Sequence, residues 1–326
     1  MTLCVPLSEG PARAVAGGKG ACLGELIRAG IPVPAGFVVT TDAFTGAMPA
    51  IDPGGRLRAA IEARDPADLP GLARAAARAR DAIIAAPLPA STAAAIATAY
   101  AALPGEDVAV RSSATMEDSA AASFAGLQDT YLAIRGESGV LDAVRRCWAS
   151  LYNDESVAYR RRLGLPEQPQ SMAVVVQLMV APRSAGVMFT RSPVTGDRSV
   201  VAVEAAPGLG AALVAGEVTP DSFMISKITG EITSRRVQAA QPCLTDGELR
   251  ALAAVARTVE AHYGAPQDIE WAVLAGDAPE QARIVLLQSR PETVWGARDA
   301  AAEAPVAAPK PRPADHVISL FAKGLR

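Results

Sequence analysis

Four polar side chains near the end of the sequence are spaced for joint action. In DIEW, Asp268 and Glu270 stand two positions apart, and on a strand such residues share one face. Ile269 and Trp271 then point the other way, into a core. In LLQSRP, Gln288 and Arg290 repeat the spacing, with Leu287 and Ser289 opposite. The stretch between them contains LAGDAPEQA, composed like the loop of a hairpin. Two carboxylates and a Gln/Arg pair would thus project from neighbouring strands onto one surface. Oxygen donors of this kind suit Mg²⁺ held together with substrate phosphates, and an adjacent arginine can grip phosphate oxygens in a bidentate way. The plain alternative is a cross-strand salt bridge on a wet face, worth only ~0.2–1 kcal/mol.

A second cluster is VRSSATMEDSAAASFAGLQDTYL. Arg111 follows a buried-looking strand, and Ser112, Ser113, Thr115, Ser119, Ser123, Gly126 and Thr130 come after it. Small hydroxyl residues and glycine let backbone N–H groups approach an anion, and an arginine at the mouth of such a loop can clamp phosphate. The alternative is a polar surface loop. Near the start, AGGKGACLGEL sets Lys19 among glycines. A P-loop would need Ser or Thr after the lysine, but Gly20 follows. By spacing alone Lys19 belongs to a glycine-rich turn. In EAAPGLGAALV, Gly208 and Gly210 are followed by Leu213, not glycine, so a dinucleotide fingerprint is rejected.

The elements that must position these residues follow from pattern. Ala21 to Ala29 is expected to be a helix with Leu23, Leu26 and Ile27 on one face. Pro32 and Pro34 force extended backbone before a strand at FVVT. Residues 54–103 have helical spacing broken at Pro66, Pro70 and Pro87. DVAVRSS is a strand, and Gly139 to Leu163 is helical, with Leu141, Val144, Trp148 and Leu151 as its buried stripe. The character changes at Gln170. MAVVVQLMV reads as a strand covered on both faces. AGVMFT, SVVAVEAA, FMISK, EITSRRV, QDIEWAVL and RIVLLQSR are further strands. A helix from Thr245 to Tyr263 carries Leu249, Leu252, Val255 and Val259.

Bulk composition narrows the class. The 326 residues are half hydrophobic and carry a net charge of −3, so neither nucleic acid nor an anionic membrane is expected as partner. Cys4, Cys22, Cys147 and Cys243 are scattered, against a zinc site or a disulfide scaffold. No apolar run approaches the ~18 residues of a membrane span, and no signal peptide is evident. A cytoplasmic location is expected.

Together the segments resemble the N-terminal nucleotide-binding domain of the phosphoenolpyruvate synthase and pyruvate phosphate dikinase family, which also includes rifampin phosphotransferase and the phenylphosphate synthase subunits. GGKGACLGEL, IPVPAGFVVTTDAF, VAVRSSATMEDSAAASFAGLQDTYL, VVVQLMV, AGVMFTRSP, GEVTPDSF, HYGAPQDIEWA and LLQSRPETVW carry the resemblance, in order, over most of residues 15–295. It implies an α+β, ATP-grasp fold with ATP between two subdomains, residues 1–169 and 170–295, and a linker and tail at 296–326. It implies that Lys19 and Arg111 bind ATP phosphates, with Gly126 and Thr130 in the phosphate loop and Gln177 near the nucleotide. Glu270 and Gln288 would hold Mg²⁺, supported by Asp268, and Arg290 would contact the transferring phosphoryl group.

The implied chemistry cleaves ATP to AMP and phosphate. A phosphoryl group passes to a histidine on a swivelling domain and then to a small acceptor such as phenol or pyruvate. Neither histidine here has the expected carrier neighbours: His262 sits in AHYGAPQDIEW and His316 in PADHVISL. The carrier is therefore expected on a separate partner protein. Ala211 replaces a glutamate common in the family after GLG. Val317, Leu320 and Phe321 form either a small docking face for the partner or part of a frayed terminus. Two other readings stay open: an ADP-forming ATP-grasp ligase, and a non-catalytic nucleotide-binding regulator.

Overall fold

The computed structural model describes residues 2–115, 129–167, 170–210, 213, 216–293 and 295–296. Gly126, Ala211, His316 and the tail segment with Val317, Leu320 and Phe321 lie outside them, as do Ser119 and Ser123. The elements below all belong to the compact unit Met1–Glu292. In chain order the strands are β1 (Cys4–Pro6), β2 (Gly36–Val39), β3 (Val108–Ala114), β4 (Thr130–Ile134), β5 (Met172–Leu178), β6 (Pro182–Phe189), β7 (Val200–Pro207), β8 (Asp221–Ser226), β9 (Ile232–Arg236), β10 (Gln267–Leu274) and β11 (Ile284–Pro291). The helices are α1 (Arg13–Arg28), α2 (Thr41–Ile51), α3 (Arg56–Glu62), α4 (Leu69–Ala85), α5 (Ala90–Ala101), α6 (Glu137–Ser150), α7 (Asp154–Arg162) and α8 (Asp246–Tyr263). None of these helices is by itself long and apolar enough to cross a membrane.

Among the described residues two antiparallel sheets form, one of five strands in the order β1-β2-β5-β3-β4 and one of six in the order β11-β10-β6-β7-β8-β9. The class is α+β, as expected. The Val-rich strand, assigned by sequence to the second subdomain, instead sits between β2 and β3 in the first sheet. Its burial explains the place. Met172, Val174 and Val176 join a core with α2, α4 and α6, while Ala173 and Val175 pack with Ala16 and Leu23 of α1. A strand covered on both faces needs neighbours on both edges. The composition change at Gln170 marks the start of this strand, and the chain reaches the second sheet only after Leu178.

The second sheet buries Val201, Val203, Phe223, Ile225, Ile269 and Trp271 under α8. That helix opens with a capping box between Thr245 and Glu248 and closes at Gly264. Leu249, Leu252, Val255 and Val259 are its buried stripe, as the spacing predicts. The predicted stripe of α6 is also found: Val144 and Trp148 are fully buried, Leu141 partly so, and Leu151 lies just past the helix end. Pro70 does not break α4; it lies in the first turn, where its missing N–H costs nothing. The stretch 139–163 is two helices, parted at Leu151–Asn153.

A short strut joins the sheets. Pro32 O accepts from Leu286 N of β11, at 2.9 Å, and Ala35 O accepts from Leu178 N of β5, at 2.8 Å. Between them Pro34 O accepts from Gln177 Nε2, at 3.1 Å. The two prolines predispose IPVPA to the extended form that offers three successive contacts.

Candidate functional site

Strand β3 brings Arg111 to the cleft between the sheets. All seven residues of β3 are buried, and its alternation sorts them. Val108, Val110 and Ala114 enter the helical core, which leaves Ala109, Arg111 and Ser113 on the other face. A guanidinium that is 10% exposed needs partners. Arg111 finds all three on the second sheet: Nη1 donates to Leu287 O at 2.5 Å, and Nη2 donates to Glu270 Oε2 at 3.1 Å and Gln288 Oε1 at 2.7 Å.

The hairpin β10–β11 presents those acceptors through a β-bulge. Glu270 pairs with Gln288, but Trp271 pairs with Leu286, so Leu287 is the extra residue. Ile284 and Leu286 face the α8 core. In an unbroken strand Gln288 would follow them inward. The bulge reverses parity, so Gln288 and Arg290 share the face of Glu270 and Asp268. The expected grouping of these four residues is therefore found. The expected orientation of Leu287 is not: it lines the cleft with its carbonyl on Arg111.

The cleft is a cavity of about 470 Å³, within the usual range for a small-molecule site. Arg111, Thr130, Gln177 and Glu270 line it, alongside Leu132, Met179, Val180 and Leu209. One region is thus charged and the rest mostly apolar. Thr130 pairs with Arg111 across β3–β4. Gln177 is 2% exposed, and the strut bond at Pro34 fixes its amide nitrogen.

Asp268 and Arg290 face each other two residues further along the hairpin, with Arg290 Nε 3.3 Å from Asp268 Oδ2. Lys19 does not line the cavity. It lies in α1 just past a break at Gly17 and is 9% exposed. Burial pushes the Cys147 thiol well above its usual range and Asp129 adds to this, while the Lys19 ammonium pulls it back.

Two members of the serine cluster behave differently from expectation. Ser112 and Ser113 belong to β3 and are fully buried. Ser112 N–H and Oγ–H both donate to Asp129 O, and Ser113 Oγ–H donates to Ala16 O at 2.7 Å. These groups serve the backbone rather than an anion, because a strand inside a sheet has no free loop geometry. Sequence reading missed three further participants: the Leu287 carbonyl, the Ser113 contact and the Met179–Val180 wall. A bulge leaves no residue-type signature in LLQSRP, and the other two depend on long-range packing.

Comparison with known proteins settles the affiliation. The family described as "Pyruvate phosphate dikinase, AMP/ATP-binding domain" matches residues 13–241 and 235–309. The chain belongs to this family. Curated relatives agree. A probable phosphoenolpyruvate synthase of Methanothermobacter thermautotrophicus is 42% identical over 86% of this chain and 44% of its own length. A rifampicin phosphotransferase of a Streptomyces species is 43% identical over 85% of this chain and 34% of its own length. The phosphoenolpyruvate synthase of Aeropyrum pernix is 37% identical over 88% and 42%. The chain therefore spans less than half the length of these relatives. Membership in an AMP/ATP-binding family fits a cleft with a cationic, oxygen-rich end and an apolar wall.

Proposed function

We propose that this chain binds Mg·ATP between its two sheets in an ATP-grasp arrangement and is the ATP-cleaving part of a dikinase-type phosphotransferase. ATP and water would give AMP and phosphate, with one phosphoryl group passing to a histidine on a separate protein or domain. A small acceptor, such as phenol or pyruvate, then takes it. One observation carries the reading: Arg111 of the first sheet meets Glu270 and Gln288 of the second across the cavity.

The donor set fits a divalent cation. Glu270 Oε2 and Gln288 Oε1 converge on a single cationic atom, Arg111 Nη2. That nitrogen stands in for the positive centre the two oxygens can hold. Hard oxygen donors of this number, completed by water and phosphate, suit Mg²⁺, which when bound neutralises phosphate charge. Asp268 supports the pair from the same face. Arg111, freed from these oxygens, turns to the phosphates, and Lys19 adds a second cation. Arg290 meets the transferring group. Thr130 borders the phosphates and Gln177 the rest of the nucleotide. Fixed charges of this kind supply most of the catalysis in phosphoryl transfer.

Calorimetry with ATP, with and without Mg²⁺, tests the binding step, and metal-dependent binding is expected. Nucleotide analysis of the complex recovered with its native partner tests the reaction. AMP supports the proposal, and ADP as sole product overturns it in favour of a ligase.

A further inference from the structure

We infer that Ser113 is a positioning residue for Lys19, its hydroxyl spliced into helix α1. The inference rests on the reading of Lys19 as a nucleotide ligand. In an unbroken α-helix the Gly20 N–H would donate to the Ala16 carbonyl, four residues back. Here the Ser113 hydroxyl stands between them. Gly20 N–H donates to Ser113 Oγ at 3.1 Å, and Ser113 Oγ–H donates to Ala16 O at 2.7 Å. Both backbone groups stay satisfied, but the ladder is prised open by one side chain, a known cause of a sharp kink.

The break falls at Gly17, with φ 68° and ψ −174°, a region essentially reserved for glycine. Close approach demands glycine as well, since a Cβ there would lie 2.0 Å from Ser113 O. The splice is fully buried, because Ser113 is 0% exposed, so water has no access to replace the hydroxyl. Ser113 is two residues from Arg111 on the same face of β3. One strand thus sets both cations, Arg111 directly and Lys19 through the kink. Three residues beyond Lys19, Cys22 Sγ–H donates to Ser289 O of β11 at 2.9 Å. The kinked segment is tied to both sheets.

Loss of the hydroxyl lets Gly20 N–H close directly on Ala16 O. The helix then straightens through Gly17, and Lys19 turns away from its place. The test is a double-mutant cycle read by calorimetric Mg·ATP affinity on the full chain: wild type, Ser113→Ala, Lys19→Ala and the double variant. Ser113→Ala is expected to weaken binding about 5–20-fold, with the double variant no weaker than Lys19→Ala alone, since interacting sites are non-additive. If Ser113→Ala fails to fold, the same cycle is run with Ser113→Cys, whose thiol fills the space but is too weak a donor and acceptor to hold the splice. Unchanged affinity in the Ser113 variant, or losses that multiply in the double variant, overturns the inference and leaves the Lys19 reading intact. Unchanged affinity in Lys19→Ala alone overturns the Lys19 reading itself, and the inference with it.

Discussion

Strand β3 and the β10–β11 hairpin both deliver charge to the cleft, but by opposite means. β3 is an interior strand buried along its whole length, with regular alternation through Arg111. β11 is an edge strand with half-buried polar residues, and it reaches the cleft only through the bulge at Leu287. The cations Lys19 and Arg111 sit on the buried side, at 9% and 8% exposure. The Glu270 carboxylate sits on the wetter side, 31% exposed. A buried guanidinium must be neutralised by something outside its own sheet, whereas a part-exposed carboxylate can be hydrated. The two halves are therefore unequal partners, and the Arg111 contacts bind the first sheet to the second.

The largest effect should come from removing the irregularity of the hairpin. Deleting Leu287 would leave Gln288 opposite Glu270 in a regular ladder but would take away the bulge carbonyl that accepts from Arg111 Nη1. Leaving that buried guanidinium N–H without its acceptor costs about 1–3 kcal/mol, more for a charged group, and losing the bend of the bulge re-aims Gln288 and Arg290. Thermal unfolding should fall sharply and Mg·ATP binding should vanish. Deleting Gly276, in the exposed loop before β11, is the matched control and should change both much less. Equal tolerance of the two deletions would show that the bulge is incidental.

The next effect separates the two partners of one ion pair. Arg111→Met should reduce ATP cleavage by about 10²–10³-fold, the usual result of removing a transition-state donor. It should alter stability by less than about 1 kcal/mol, because Glu270 is left partly solvated and the new side chain is apolar. Glu270→Ala should cost about 1–3 kcal/mol in denaturant unfolding, because it leaves the buried guanidinium short of an acceptor. Equal stability losses in the two variants would refute the asymmetry.

Much of this was legible before the structure. The strands were marked by apolar runs, and α8 by its stripe and its cap. Asp268, Glu270, Gln288 and Arg290 were grouped correctly, although the face assigned to Leu287 was wrong, because two-residue spacing within each strand says nothing of a bulge between them. The place of β5 was misread because a composition change can mark a strand rather than a boundary. Lys19 could not be judged from spacing at all. Its setting comes from a serine 94 positions away in sequence, at Ser113, and nothing local in AGGKGACL records that contact.

The smallest effect concerns acid, and it again sets the second sheet against the first. Glu248, 1% exposed, is raised by burial alone, but the Thr245 N–H and the guanidiniums of Arg183 and Arg283 more than offset this and hold it below the usual range. Asp221 is likewise raised by burial and lowered further by the N–H groups of Gln238 and Cys243. For both, the folded pKa lies under the unfolded one. Their contribution is complete above the unfolded carboxylate values, about pH 4, and fades as pH falls through the lower folded values. Both groups tie the segment 237–248 to the second sheet and α8. Peptides from β7, β8 and α8 should therefore lose hydrogen-exchange protection at a higher pH than peptides from β3 and β5. Glu248→Gln should be less stable at neutral pH and should flatten this acid dependence, because the amide no longer titrates. If protection in both sheets fell together in the parent and in the variant, these buried carboxylates would not be what sets the acid limit of the second sheet.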